Sequence, residues 1–578
     1  MHKVKAPRQG AFFYIRKGDE SMKLPFANMK NNVQIQTMQW LGLDERDKIG
    51  EEQFLQMKNL SSDKYPCLSP RKPRKEIDID VSSDITNLVL PKYSGKELSK
   101  FTGIAGRYFY YEGVRKGTQL SDDIPKTVVD FYGRICIFPD KKYYSYLPDS
   151  SENLEDMEVS ETGKMKFYSN MDEYGDNYSA YIQNTDADWD EEQFKSGDSV
   201  VIEGSGENDT FVVESKFQSA GEEDIVSVVV EKVDGNRLYV RLYNKNGKAV
   251  EWNGEGTESN ITVKKPVPNM RYVCVHNNRL WGCGEPKDGD GKQYGEFIYA
   301  SKLGDPFNFN TFQGLSTDSW YGSVGTEGEF TGIAAYRNMI VVFKRNYIHH
   351  VYGDMPSSFS IPKQIAGSCI DYRSIVEIDG ILYYLGKKGY YAYNGGTPQR
   401  ISDNLTQIYT EGVAGTDGVK YYACSYRADK SADLLVYDPR YGLWHREDDT
   451  GFVGFVTVDQ DIYGATDGKM YLLSGGTEDV EWSVTSKRFT LDTMMRKAVN
   501  QIYLRLDMPP GSKVTVYTRA DGGEWKEWGT IEEDGFRTHR VPVRFRDGDY
   551  YQIRLDGAGD VTIHDMETEV YAGAYNVR

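Results

Sequence analysis

The chain reads as all-β: a β-propeller with an inserted small β-barrel and a C-terminal β-sandwich. Tyr (43) and Gly (57) are plentiful among the 578 residues, and they suit half-buried strands and tight turns respectively. Through the middle of the chain one unit recurs: strand, two-residue polar turn, aromatic strand, Gly-rich turn, strand. Its spacing of roughly 25–45 residues suits propeller blades better than a sandwich. From about residue 480 apolar residues alternate instead, the mark of sheets with one wet face.

Residues 1–84 read as an extended N-terminal arm. A short helix is expected near Glu51–Asn59. The following SSDKYPCLSPRKPR carries Pro66, Pro70 and Pro73, which favour an extended path. Its basic residues suit either an acidic neighbour or a solvated connector.

Residues 85–165 form the first part of the propeller, with ITNLVLPKY, FTGIAGRYFYYEG and a hairpin in RICIFPDKKYYSYLPD. Residues 166–266 form the inserted barrel. There FKSGDSVVIEGS is strand, turn, strand, and Asp234-Gly235-Asn236 joins two strands as a hairpin. Residues 267–479 complete the propeller, for five to seven blades in all. Residues 480–578 form a jelly-roll-like sandwich. Its alternating core is Ile502, Leu504 and Leu506, then Val514 and Val516, Ile553 and Leu555, and Val561 and Ile563.

A net charge of −18 argues against a groove that grips phosphate backbones, though not against a surface that DNA merely passes. No apolar run is long enough to span a bilayer, and the N-terminus has no charged-then-apolar signal segment, so a soluble product made in the cytoplasm is expected. The six cysteines form no CxxC pair, and reduced thiols are the default.

No catalytic, metal or cofactor site is assigned. The chain has no GxSxG, HExxH, Walker loop or strand-following GxGxxG. His349 and His350 point to opposite faces of a strand, so one is expected packed and one exposed. His445, beside Arg446, Glu447 and Asp448, suits a blade edge with solvated charges better than a base–carboxylate pair. Asp288, Asp290 and Glu296 have part of a calcium-loop pattern but lack its full spacing. Asp186, Asp188 and Asp190 read as a solvated loop. Trp525 and Trp528, in TRADGGEWKEW, are the candidate glycan contacts, although a Trp pair near a turn more often serves packing.

Taken in order, NNRLWGCG, IYASKLGDPFNF, FTGIAAYRNMIVVFKRNYIHHVYG, GYYAYNGGTPQRIS and VYDPRYGLWHRED resemble a family of phage and prophage tail proteins. That family is related to the tail nozzle, or DNA-stabilising hub, of short-tailed phages. The resemblance covers most of the chain. It implies a non-enzymatic structural protein of the virion tail, forming a homo-oligomeric ring, a hexamer by preference, below the portal and adaptor. DNA would pass through it to be retained and then ejected. The resemblance supplies no catalytic residues. The alternatives are a tail protein that binds host-surface glycan and a polysaccharide-degrading propeller enzyme, which needs two inward carboxylates near the axis.

Overall fold

The computed structural model describes residues 31–573 apart from 38, 51, 82, 93–99, 122–124, 172–177, 211–223, 285–295, 363 and 492. The described residues contain no α-helix, only two short 3-10 turns, Pro356–Ser358 and Tyr372–Ser374. No helix among them is long and apolar enough to cross a membrane.

Seven four-stranded antiparallel sheets form the propeller. Their innermost strands are Ile85–Leu88, Thr127–Phe131, Tyr272–His276, Phe330–Tyr336, Val376–Ile378, Glu411–Thr416 and Gly454–Val458, defining blades one to seven in that order. Each blade carries large apolar side chains on both faces, because a neighbouring blade covers each face. Thus Ile104, Phe109, Ile135 and Tyr144 join blades one and two. Cys424, Leu434, Phe452 and Ile462 join six and seven. Ile85, Tyr110 and Ala465 close the ring between seven and one.

Residues expected to form an arm instead supply strands to two domains. Asn31–Thr37 pairs with Thr562–Gly573 in one sheet of the sandwich. Phe54–Lys58, where a helix was expected, pairs with Glu481–Ser486 in the other. Four hydrogen-bonding neighbours on a sheet edge outweigh a weak local helix preference. Arg74–Ile77 then pairs with Lys469–Gly475 as the outermost strand of blade seven. A segment that precedes blade one in sequence therefore completes blade seven, which latches the ring.

The Pro-rich segment is seated on an acidic neighbour. Arg71 and Arg74 face Glu447 and Asp448 of blade six, with Arg74 2.9 Å from both carboxylates. All four side chains are largely buried. Burial works against the Arg74 charge, but Glu447 and Asp448 outweigh it and raise its pKa. Burial likewise opposes the Asp448 charge, and the Arg74 field still leaves that carboxyl below its usual range.

The barrel runs from Val159 to Lys265, between blades two and three. Its six principal strands close where Ser179–Asn184 pairs with Arg237–Tyr243. Phe167, Ile202, Val228, Val240 and Ile261 fill it. Trp189, in the middle of the acidic run, is buried, and its indole N–H donates to the Asn236 carbonyl at 3.1 Å. The run therefore closes the barrel wall, with Asp186 accepting from the Lys164 N–H. Asp198 anchors barrel to propeller, meeting Lys265 at 3.1 Å and Asn308 of blade three at 2.8 Å.

The sandwich core contains every alternating residue expected from the sequence, Ile502, Leu504, Leu506, Val514, Val516, Ile553, Leu555, Val561 and Ile563, all buried. The same cluster continues through Trp40, Leu43 and Phe54 to Tyr390 and Trp444 of the propeller, so sandwich and propeller share apolar contact.

Candidate site: a basic cleft between propeller and sandwich

Most residues singled out from sequence serve the fold. His349 and His350 are both buried, where one was expected exposed, because blades cover both faces of their strand. His349 meets the Thr326 hydroxyl at 2.8 Å, and His350 meets Tyr393 and Tyr352. Burial, then the nearby Lys344 charge, lowers the His349 pKa to about 4. His445 is also buried rather than at a solvated edge. Burial and then Lys420 lower its pKa to about 3, so it is neutral at physiological pH. Asp288 and Asp290 lie outside the described residues. All six cysteines are free. Among the described residues no group of three or more His, Cys, Asp or Glu side chains is arranged to hold a metal ion.

A turn just before blade five reaches across to blade two. The Asp371-Tyr372-Arg373 turn is held by its own ends: Arg373 donates to Asp371 from its backbone N–H at 3.0 Å, Nε at 3.0 Å and Nη2 at 2.7 Å. This projects Tyr372, just before blade five, so that its hydroxyl donates to the Lys126 carbonyl at the start of blade two, 2.8 Å away. These blades are not neighbours, so Tyr372 spans the ring. Among the described residues the innermost strands carry three carboxylates, Asp130, Glu377 and Glu411. Asp130 is buried and accepts from Lys92, Gly133 and Tyr146. Glu411 lies 2.6 Å from Lys430. Asp130 and Glu411 are thus engaged by protein groups, whereas Glu377 is exposed.

A cleft of about 530 Å³ lies where blade six meets the sandwich. Arg427 and Arg446 form its propeller wall. Both guanidinium groups meet the single buried carboxylate of Asp433, which also accepts from the Tyr409 hydroxyl at 3.0 Å. Burial disfavours the Arg427 charge, but the hydrogen bond and field of Asp433 raise its pKa. The sandwich wall is the outer face of one sheet and bears Lys58, Ser483, Thr485, Arg519 and Gln552, with Arg488 beside it. Arg519 Nε donates to Gln552 Oε1 at 2.9 Å, and Arg488 lies 3.2 Å from Asp47.

A second turn of the same Asp-x-Arg type shapes the remaining side. Asp44 accepts from the Arg46 N–H at 3.1 Å, Nε at 2.9 Å and Nη2 at 2.6 Å, and the intervening Glu45 lines the cleft. Glu45 Oε2 accepts from the Thr406 N–H at 2.8 Å and hydroxyl at 3.0 Å. The lining thus holds four arginines and a lysine against two carboxylates, in a chain of net charge −18. No motif marks these residues, which come from strands and turns far apart in sequence. The Asp-x-Arg spacing is the one local signal available.

Trp525 and Trp528 have different surroundings. Trp528 packs partly against the sandwich core, and its indole N–H donates to the Thr518 hydroxyl at 2.7 Å. Trp525 is half-buried, with the guanidinium of Arg519 4.5 Å and that of Arg554 5.0 Å from its ring centroid. Arg554 also lies 4.4 Å from the Tyr517 ring. A ladder Tyr517–Arg554–Trp525–Arg519 thus runs along the sheet and ends in the cleft.

No family model matches the chain, and no curated protein sequence matches it. Among solved structures it is similar to an exo-β-1,3-galactanase from Phanerochaete chrysosporium, at 8% identity over 51% of this chain and 95% of that one, TM-score 0.21. It is also similar to an arabinoxylan arabinofuranohydrolase from Bacillus subtilis, at 11% identity over 77% and 94%, TM-score 0.15. A Trypanosoma rangeli sialidase is 9% identical over 87% and 96%, TM-score 0.24. These are glycoside hydrolases and a sialidase, not tail proteins. The expectation of a virion tail nozzle that conducts and ejects DNA is accordingly withdrawn.

Proposed function

We propose that this protein binds acidic saccharide chains in the cleft between blade six and the sandwich. The observation that carries the reading is the convergence of Arg427, Arg446, Arg488, Arg519 and Lys58 on one concave surface of an acidic chain. Guanidinium groups match carboxylate and sulfate oxygens, and neutral Gln56, Gln407 and Ser483 around them suit sugar hydroxyls. Trp525 serves this site by holding Arg519.

The test is affinity electrophoresis through gels containing a polyuronate, a sulfated polysaccharide or a neutral glucan. Retardation by the acidic polymers alone, relieved by added salt, is expected. Equal mobility in all gels would refute the reading. A reducing-end assay on the same polymers addresses the hydrolase alternative. No cleavage is expected, because the cleft carboxylates Glu45 and Asp47 are engaged by Thr406 and Arg488.

A further inference from the structure

We infer that the cleft takes two acidic groups of one saccharide chain at once, one on each wall; this rests on the proposed acidic-saccharide reading. The propeller wall sets two guanidinium groups against one carboxylate, since Arg427 and Arg446 share Asp433. Besides Asp433, the only other carboxylate among the described residues acting on Arg427 is the exposed Asp429, so the pair keeps part of its positive field toward the cleft. On the sandwich wall Arg519 is fixed by a neutral amide, Gln552, and by the Trp525 ring, neither of which neutralises it. The two basic centres belong to different domains and face one cavity. A ligand with a single acidic group satisfies one wall and leaves the other charged. A chain with acids on separate sugar residues satisfies both, and its second contact forms at the high effective concentration set by the first.

Nucleic acid also carries repeated negative charge, yet the lining contains no aromatic side chain on which a base would stack. The rings beside the lining arginines, Trp525, Tyr409 and Tyr550, already carry guanidinium groups. The geometry therefore favours a saccharide with uronate or sulfate groups.

The test is titration calorimetry of the full chain at low ionic strength. The probes are galacturonate, tetragalacturonate, a neutral tetrasaccharide and a single-stranded oligonucleotide. Tetragalacturonate is expected to bind at least about tenfold more tightly than galacturonate, with the neutral sugar silent. Arg519→Gln and, separately, Arg427→Gln should each bring the tetramer close to the monomer, because either wall alone holds one acid. Lys58→Gln, at an exposed position, repeats the sandwich-wall test if an arginine variant is poorly folded. Equal affinity of monomer and tetramer would overturn the two-wall inference while leaving acidic-saccharide binding intact. No binding of either uronate would overturn both. Tighter binding of the oligonucleotide than of the tetramer would replace saccharide by nucleic acid as the ligand class.

Discussion

Arg74 reaches Glu447 across the junction between the strand that latches the propeller and blade six, with Nη2 2.9 Å from Oε2. The pair is largely buried, so removing one member strands the other in a poorly solvated site. Arg74→Ala should destabilise the protein by about 3 kcal/mol, in the range for breaking a buried ion pair. Denaturant unfolding measures this. An unchanged midpoint would mean that the latch is held by backbone pairing alone.

Gly42 tests how tightly the N-terminal segment is seated. Its φ is +77°, and a Cβ there would come within 2.3 Å of the Trp444 carbonyl oxygen. Neither the backbone conformation nor the contact yields cheaply to an L side chain. Gly42→Ala should lower the melting temperature and also weaken uronate binding, because Leu43 and Glu45 next to it line the cleft. Loss of stability with unchanged binding would separate the segment from the site.

The two tryptophans should part company on mutation. Trp528→Ala removes core contact and a hydrogen bond and should cost about 2 kcal/mol of stability with little effect on ligand affinity. Trp525→Ala frees Arg519 and Arg554 and should weaken acidic-saccharide binding several-fold with a smaller loss of stability. Calorimetry and thermal melts on both variants check the split. The reverse pattern would return Trp528 to the binding role.

Mild acid should loosen the fold through its histidines. His349 and His445 have folded-state pKa values near 4 and 3, each lowered first by burial, against 6.5 when free. Below pH 6.5 the unfolded chain takes up protons that the folded chain refuses. Their stabilising contribution is therefore complete above that pH and declines as pH falls toward the folded values. The slope is at most about 1.4 kcal/mol per pH unit for each histidine. His445→Gln should flatten the dependence of melting temperature on pH between 6.5 and 4, and an unaltered slope would show that His445 does not titrate as described.

The fold class was legible because hairpins and alternating residues are local signals. Ile502, Leu504 and Leu506 announce a one-sided strand without knowledge of any partner. Phe54–Lys58 gave no such signal, because its strand character comes from Glu481–Ser486 at the other end of the chain. His350 was half-read: alternation gives opposite faces, but not the neighbouring blades that bury both. The cleft was not legible at all. Arg427, Arg446 and Arg519 are individually ordinary surface arginines, and only folding sets them around one space.

The latch of blade seven also bears on synthesis. Arg74–Ile77 leaves the ribosome before blade one exists, while its partner Lys469–Gly475 follows only after the whole propeller has been made. The same holds for Asn31–Thr37, whose partner Thr562–Gly573 lies near the C-terminus. Blades one to six can condense one after another during translation, but ring closure and sandwich completion are late events. Until then these segments, and Phe54–Lys58 with them, wait with unsatisfied edges, the kind of exposed template that invites mispairing. A chain truncated before residue 469 should therefore be prone to aggregate rather than fold as a smaller propeller.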